Sequence, residues 1–273
     1  AGFSYARVSM DDTDRVAAGY DAVYGAMSDS PTFHKIWRTH ATGEDYPAGF
    51  EHISFLTLAE MQTMAAALNL RDGDTLVDLA CGMAGPGLWI ARGAGAGLVG
   101  VDISSVALAG ARERAASLQP APVARFTQGS FAQTGLDAGS AAAAISVDAL
   151  QYAPDKRAAL HEIARILRPG GRLAFACFEL EPERVAGVPV LGMDPVADYS
   201  PLLEQAGFDV VSCAETAGWR VRLTQAYQAI VDAKAELTSE MGEAAYTALA
   251  GEVTLTLQLQ PYRQRVFVSA QKR

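Results

Sequence analysis

The chain has 273 residues, 50% of them apolar, enough to bury a sizeable core and too apolar for a disordered chain. Its formal charge of −9 at pH 7 argues against nucleic acid or an anionic membrane as partner, because both demand a positive face. No apolar run approaches the ~20 residues of a membrane span, no charged-then-apolar leader opens the chain, and three cysteines without metal-like or pairing spacing fit a reducing cytoplasm.

Residues 1–9, ahead of Met10, are expected to lie outside the fold. Residues 11–71 are mostly helical in pattern and are expected to form an N-terminal helical cap, followed by one sheet-bearing domain over 72–273. From Thr75 the chain alternates short apolar runs with helical patterns, which signals βαβ units. TLVDLA (75–80) is the first strand, with a helix beginning near Pro86. LVGVD (98–102) is the second, and Ser104 or Ser105 caps the helix that follows. VARFTQG (123–129) and AAAAISVD (141–148) are the third and fourth strands.

Asp155–Leu167 is an amphipathic helix with Leu160, Ile163, Ala164 and Leu167 on one face. RPGG ends it, and RLAFACF (172–178) is the fifth strand. A short helix over 199–208 leads to DVVSCAET (209–216), and QRVFVSAQ (264–271) supplies the seventh strand. Between these last two strands, residues 218–260 hold two helical patterns, an insertion expected to cover the carboxyl edge of the sheet together with the N-terminal helices.

The most informative stretch is LVDLACGMAGPG, residues 76–87. A dinucleotide fingerprint needs G-x-G-x-x-G directly after the strand, whereas the glycines here are Gly82, Gly85 and Gly87. Asp78 stands near the strand tip, where it would repel a phosphate, and no lysine follows to form a Walker-type loop. The turn therefore suits a ligand that approaches the backbone closely and carries positive charge. Asp102 ends the second strand, where a carboxylate can accept both hydroxyls of a ribose. A cationic amino acid joined to a nucleoside satisfies both acids, which points to S-adenosyl-L-methionine, with S-adenosyl-L-homocysteine as product.

On these residues the chain resembles the class I S-adenosylmethionine-dependent methyltransferases of small-molecule, natural-product type. The family's first motif stands here as Asp78, Ala80, Gly82 and Ala84–Gly85, with alanines in place of two usual glycines. VGVDIS (99–104) matches the second motif and brings in Asp102 and Ile103. GSF (129–131) sits where the family places a polar residue near the adenine, so Ser130 and Phe131 are assigned there. SVDALQYAPD (146–155) follows the fourth strand and includes Asp148, and LRPGGRL (167–173) matches a frequent signature before the fifth. The resemblance implies a Rossmann-like α/β fold, a seven-stranded, mostly parallel sheet with its last strand reversed, helices on both faces and a helical cap.

Methyl transfer is a displacement at an activated sulfonium carbon, so the enzyme contributes mainly positioning and desolvation, with a base where the acceptor needs one. Related O-methyltransferases carry a histidine after the fourth strand, but Gln151–Tyr152 stand there in this chain. His161 is expected to be solvated, whereas His34, His40 and His52 lie in the N-terminal cap. His52 is the candidate base against a packing role, and Tyr152 the candidate hydrogen-bond donor or pocket wall.

Trp37, Phe55, Gln151, Glu179 and Trp219 are candidates for an acceptor pocket, since the cap segments are rich in aromatics and Glu179 stands just past the fifth strand. The acceptor is then a small, fairly apolar molecule methylated at a hydroxyl oxygen. C-methylation, or a cyclisation that keeps the cofactor as a structural element, is the alternative. No carboxylate cluster has a convincing metal spacing, and a homo-oligomer is left open.

Overall fold

A computed structural model describes residues 10–185 and 195–273; the expectation for residues 1–9 lies outside the described residues. The chain opens with α1 (Met10–Ser28), α2 (Pro31–Ile36) and a π-helical turn over Trp37–Thr42. After a loop comes α3 (Leu58–Leu68), started by a capping box between Thr57 and Glu60. The alternation follows as β1 (Thr75–Leu79), α4 (Gly85–Ala94), β2 (Gly97–Asp102), α5 (Ser105–Ser117), β3 (Ala124–Gln128), β4 (Ala141–Val147), α6 (Lys156–Ile166) and β5 (Leu167–Leu180). The chain ends with α7 (Ser200–Gln205), β6 (Phe208–Glu215), α8 (Trp219–Asp232), α9 (Lys234–Met241), α10 (Glu243–Leu259) and β7 (Arg263–Lys272).

The seven strands form one sheet in the order β3-β2-β1-β4-β5-β7-β6. β1 to β5 run parallel, and β7 inserts antiparallel between β5 and β6. Successive residues of β1 serve opposite faces, as the period of a strand requires. Val77 and Leu79 join α6 and α7 in one core, whereas Leu76 joins α3, α4 and α5 in the other. Helices therefore cover both faces of a seven-stranded, mostly parallel sheet, as expected.

Three details differ from the sequence expectation. β5 begins at Leu167 and not at residue 172, because Leu167 already pairs with Ala141 and the RPGG turn leaves the ladder as an irregularity before Arg172 pairs with Ala143. The insertion after β6 holds three helices, since Ala233 and Gly242 interrupt its apolar pattern. Finally, α3 lies within residues 11–71, the expected cap, yet it packs Met61, Met64 and Leu68 against the sheet.

The cap has a separate core. Phe33, Trp37 and Phe55 from the N-terminal segment interlock with Trp219, Leu223, Tyr227 and Tyr246 from the late insertion. The Trp37 ring stacks on Phe33 with centroids 5.1 Å apart and tilts against Phe55 at the same 5.1 Å separation. Two segments nearly 200 residues apart thus bury one aromatic cluster above the carboxyl ends of the strands.

Candidate active site

β1 ends at Leu79, and the chain then passes through Ala80, Gly82 and Ala84 at φ 54°, 53° and 58°. Left-handed backbone costs an alanine about 1–2 kcal/mol, so the turn is held by its surroundings. Asp102, at the tip of β2, does much of this. Its Oδ2 accepts from the Gly82 amide at 2.7 Å and its Oδ1 from the Ser104 amide at 2.8 Å.

On the other side, a Cβ at Gly85 would run into the Phe50 carbonyl oxygen and stand 2.8 Å from that of Glu51. Those neighbours are backbone and yield only if the loop moves. Gly85→Ala is expected to lower stability by about 1–3 kcal/mol, read as a lower urea midpoint. An unchanged midpoint would mean that the loop carrying Phe50 adapts freely.

The cofactor candidates gather at these strand tips. Asp78 is buried beneath the start of α4, so close that a Cβ at Gly87 would lie 2.4 Å from its Oδ2. Ile103 follows Asp102, and the Gly129 amide bonds the Asp102 carbonyl at 3.0 Å, bringing Ser130 and Phe131 alongside. No sequence motif singles out α1, yet it closes over this region. Tyr24 covers the turn, its hydroxyl standing where a side chain at Gly82 would have to go. One turn earlier, Asp21 accepts from Ser104 Oγ at 2.5 Å and from the Val106 amide at 3.2 Å, an acid at the N-terminus of α5.

Two buried carboxylates lie here, and neither forms an ion pair among the described residues. Burial, then the neighbouring Asp102 carboxylate, push Asp78 up to about 8 against the Gly87 amide that lowers it. This uncompensated acidic pair beside a tight turn fits a cationic nucleoside-bearing ligand.

A pH dependence follows. Between the ordinary carboxylate range and about 8, the folded ligand-free protein keeps a proton on Asp78 that the unfolded chain has lost, so stability falls as pH rises through that window. A positive group beside Asp78 favours the charged carboxylate and expels the proton. Calorimetric titration of S-adenosylmethionine at neutral pH, in buffers of different ionisation enthalpy, is expected to show proton release. Equal apparent enthalpies would put the ligand's positive group elsewhere.

Beside the turn opens a cleft enclosing about 590 Å³, its mouth included. α1 connects the two regions, since Tyr24 covers Gly82 and Met27 lines the cleft. Of the pocket candidates, Trp37, Phe55 and Gln151 line it, as does Tyr152. Trp219 stands behind the wall, its ring edge-on to that of Phe178 at 5.4 Å and its Nε1 bonded to Glu215 at 2.9 Å. Glu179 points away from the cleft, because Phe178 before it on β5 takes the inward position. Its carboxylate accepts from the Tyr199 amide at 3.0 Å and Gln264 Nε2 at 2.7 Å, and it lies with Asp198 and Cys213.

Asp148, expected with the cofactor, also lines the cleft, at a left-handed φ of 49°. Both its oxygens are engaged, Oδ2 by the Phe55 amide at 2.8 Å and Oδ1 by Arg265 Nε at 2.7 Å. None of the four histidines lines the cleft. His52 Nε2 faces the Leu56 carbonyl at 3.1 Å and Nδ1 accepts from the Ser54 amide at 3.0 Å, so both ring nitrogens brace their own loop. Burial pushes its pKa down to about 3. Tyr152 is held neutral, its pKa pushed up to about 12 chiefly by burial, so it can donate a hydrogen bond.

The sequence reading missed Glu252 and Arg263, which line the cleft from α10 and β7. A signal existed for Glu252, a carboxylate that shares a helical face with the buried Leu249, Thr256 and Leu259. Arg263 offers no comparable signal, because at a strand start an arginine is ordinarily solvated.

Residues 76–171 match the family model of a methyltransferase domain. Among curated proteins, the chain is 27% identical over 218 residues to a 27-O-demethylrifamycin SV methyltransferase of Amycolatopsis mediterranei, covering 74% of this chain and 76% of that protein. It is 28% identical over 159 residues to the methyltransferase GfsG of Streptomyces halstedii, covering 54% of this chain and 57% of that protein. Among solved structures, it superposes on the 4+2 cyclase SpnF with a TM-score of 0.75 at 19% identity, over 95% of this chain and 96% of that one. A cyclopropane synthase from Mycobacterium tuberculosis gives 0.72 at 16% identity, over 93% and 98%. Both of these likenesses concern the fold.

Proposed function

We propose that this chain is a class I S-adenosylmethionine-dependent methyltransferase and that it methylates a small, fairly apolar natural product at a hydroxyl oxygen. The observation that carries the reading is the cleft. Its wall is built largely from apolar and aromatic side chains of the cap, among them Phe33, Trp37, Phe55, Tyr227 and Leu249, and it opens at the carboxyl edge of the sheet beside the glycine turn. The similarity to methyltransferases such as the rifamycin enzyme supports an acceptor of the natural-product class. Among the described residues no helix is long and apolar enough to cross a membrane.

In this reading Asp78 holds the amino-acid end of the cofactor, Asp102 the ribose hydroxyls, and Ile103, Ser130 and Phe131 the base, with Ala80 and Gly82 admitting the ligand to the backbone. S-adenosylmethionine supplies an electrophilic methyl group on a sulfonium centre. The chain's own work is to orient the acceptor and exclude water. Trp37 and Phe55 form an apolar wall, while Tyr152 and Gln151 offer polar contacts at the tip of β4. Glu252 is the cleft's carboxylate without a hydrogen-bond partner among the described residues, and burial raises its pKa, the direction that suits a group taking a proton from a hydroxyl near neutral pH. It replaces His52 as the candidate base, because His52 has no free nitrogen.

C-methylation or a cofactor-dependent cyclisation is the second reading, favoured by the absence of any histidine in the cleft. Methyl-labelled S-adenosylmethionine mixed with the protein and a small-molecule extract of its source separates the readings by mass spectrometry. Label on an oxygen of one metabolite, with S-adenosylhomocysteine formed, is the expected result. Label on carbon would favour C-methylation. A rearranged metabolite without label or S-adenosylhomocysteine would mean that the fold performs other chemistry.

A further inference from the structure

Among the described residues, the cleft holds an arginine with one edge that lacks a hydrogen-bond partner. Arg263 lies at the start of β7, and its Nε and Nη2 are buried with no hydrogen-bond partner among the described residues. These two atoms form one edge of the guanidinium plane, on which both N–H bonds point the same way. The face of the group is already used, for its Cζ stands 4.3 Å from the centroid of the Phe178 ring. Stacking on Phe178 leaves the in-plane edge as the remaining recognition element. A buried donor left unpaired is costly, and more so when charged, so this edge calls for an acceptor group from a ligand.

The nearby acids do not take that place. Asp148 has both oxygens engaged by Phe55 and Arg265. Glu252 makes no hydrogen bond to Arg263, although the arginine's charge reaches it and opposes the rise in its pKa that burial causes. A second unmatched atom lies in the same cleft: Gln151 Oε1 is buried without a donor, while its Nε2 donates to the Asp148 carbonyl at 2.5 Å. The cleft thus presents two parallel donors at one place and one acceptor at another, within a wall that also carries several aromatic rings.

Resting on the acceptor-cleft reading above, we propose that the substrate is an apolar acid, its carboxylate held side-on by the Nε–Nη2 edge of Arg263 and a hydroxyl donated to Gln151 Oε1. The aromatic wall takes the hydrophobic body, and the carboxylate sets its orientation toward the glycine turn. The bidentate edge prefers a flat two-oxygen anion to an ester or amide of the same shape, because neither of those carries a charge or two strong acceptors.

Naphthoate and naphthamide, which share a shape and differ in the anionic group, test the assignment in the full-length protein by calorimetry, with no need for turnover. Naphthoate is expected to bind at least about tenfold tighter, the scale of a charge-assisted hydrogen bond. Arg263→Met is expected to erase that preference by weakening naphthoate binding far more than naphthamide binding. Arg263→Lys keeps the charge but not the edge, and is expected to retain only a small part of the preference. Should the methionine variant fail to fold, the wild-type comparison and the lysine variant still decide. Equal affinities for the two probes, no naphthoate binding at millimolar concentration, or a preference that survives loss of Arg263 would each overturn the proposal. Failure of the methyltransferase reading would appear separately, as absence of S-adenosylhomocysteine.

Discussion

Replacing Arg265 with methionine is expected to destabilise the fold by about 3–5 kcal/mol, the cost of stripping the partner from buried carboxylates. Arg265 is 0% exposed and lies on β7, the reversed strand. Its Nε bonds Asp148 at 2.7 Å, and its Nη1 bonds both oxygens of Glu60 at 3.1 Å and Thr216 Oγ1 at 3.1 Å. Glu60 in turn receives Arg222 Nη2 from α8 at 3.0 Å and caps α3.

One guanidinium therefore joins the tip of β4, the start of α3 and, through Glu60, the late insertion. Methionine can fill the volume but leaves Asp148 unpaired at a strained left-handed backbone position. Adding Asp148→Asn to the variant removes that uncompensated charge, so the double variant is expected to lose less than the sum of the single losses. Urea unfolding of the four proteins gives the comparison. A loss below about 1 kcal/mol for the single variant would show that the network is held by other contacts.

The second large effect concerns cofactor affinity. Asp102→Ala is expected to weaken S-adenosylhomocysteine binding by about 1.5–3 kcal/mol, roughly 10- to 150-fold. Two effects combine. Under the proposed assignment the variant loses the acceptor for the ribose hydroxyls, and it also leaves the Gly82 amide, bonded at 2.7 Å in the native turn, without its partner. Asp102→Asn keeps an oxygen for that amide and loses only charge, so it separates framing from direct contact. Unchanged affinity in both variants, measured by calorimetry, would move the ribose away from β2.

Much of the sheet was legible because its signals are local. Asp78, the glycine turn and Asp102 sit within 25 residues, and strand periodicity placed the strands to within a few residues. β5 was the exception, since Leu167 pairs before a turn that looks like a helix stop. The cofactor candidates at the β1, β2 and β3 tips lie together for the same local reason. The acceptor cleft was legible only in part. Trp37, Phe55, Gln151 and Tyr152 meet there, but Glu179 points to the opposite face of β5, and His52 spends both nitrogens on its own loop. An aromatic or a histidine in a cap announces packing and chemistry with the same letters.

The sequence by itself determined the α/β class and an acid–glycine turn suited to a cationic nucleoside, because those depend on patterns spanning one or two elements, while the reversed last strand was implied only by the family resemblance. Only the tertiary structure decided that residues 33–55 and 219–256 share one core, that Asp148 answers to Arg265, and that Arg263 and Glu252 face the cleft. Each of these is a meeting of groups some 90 to 200 residues apart or across separate elements, where the low-dielectric interior sets which charge is paired and which edge stays free. Such pairings leave no trace in local spacing, since a buried arginine and a solvated one are written alike until the chain closes around them.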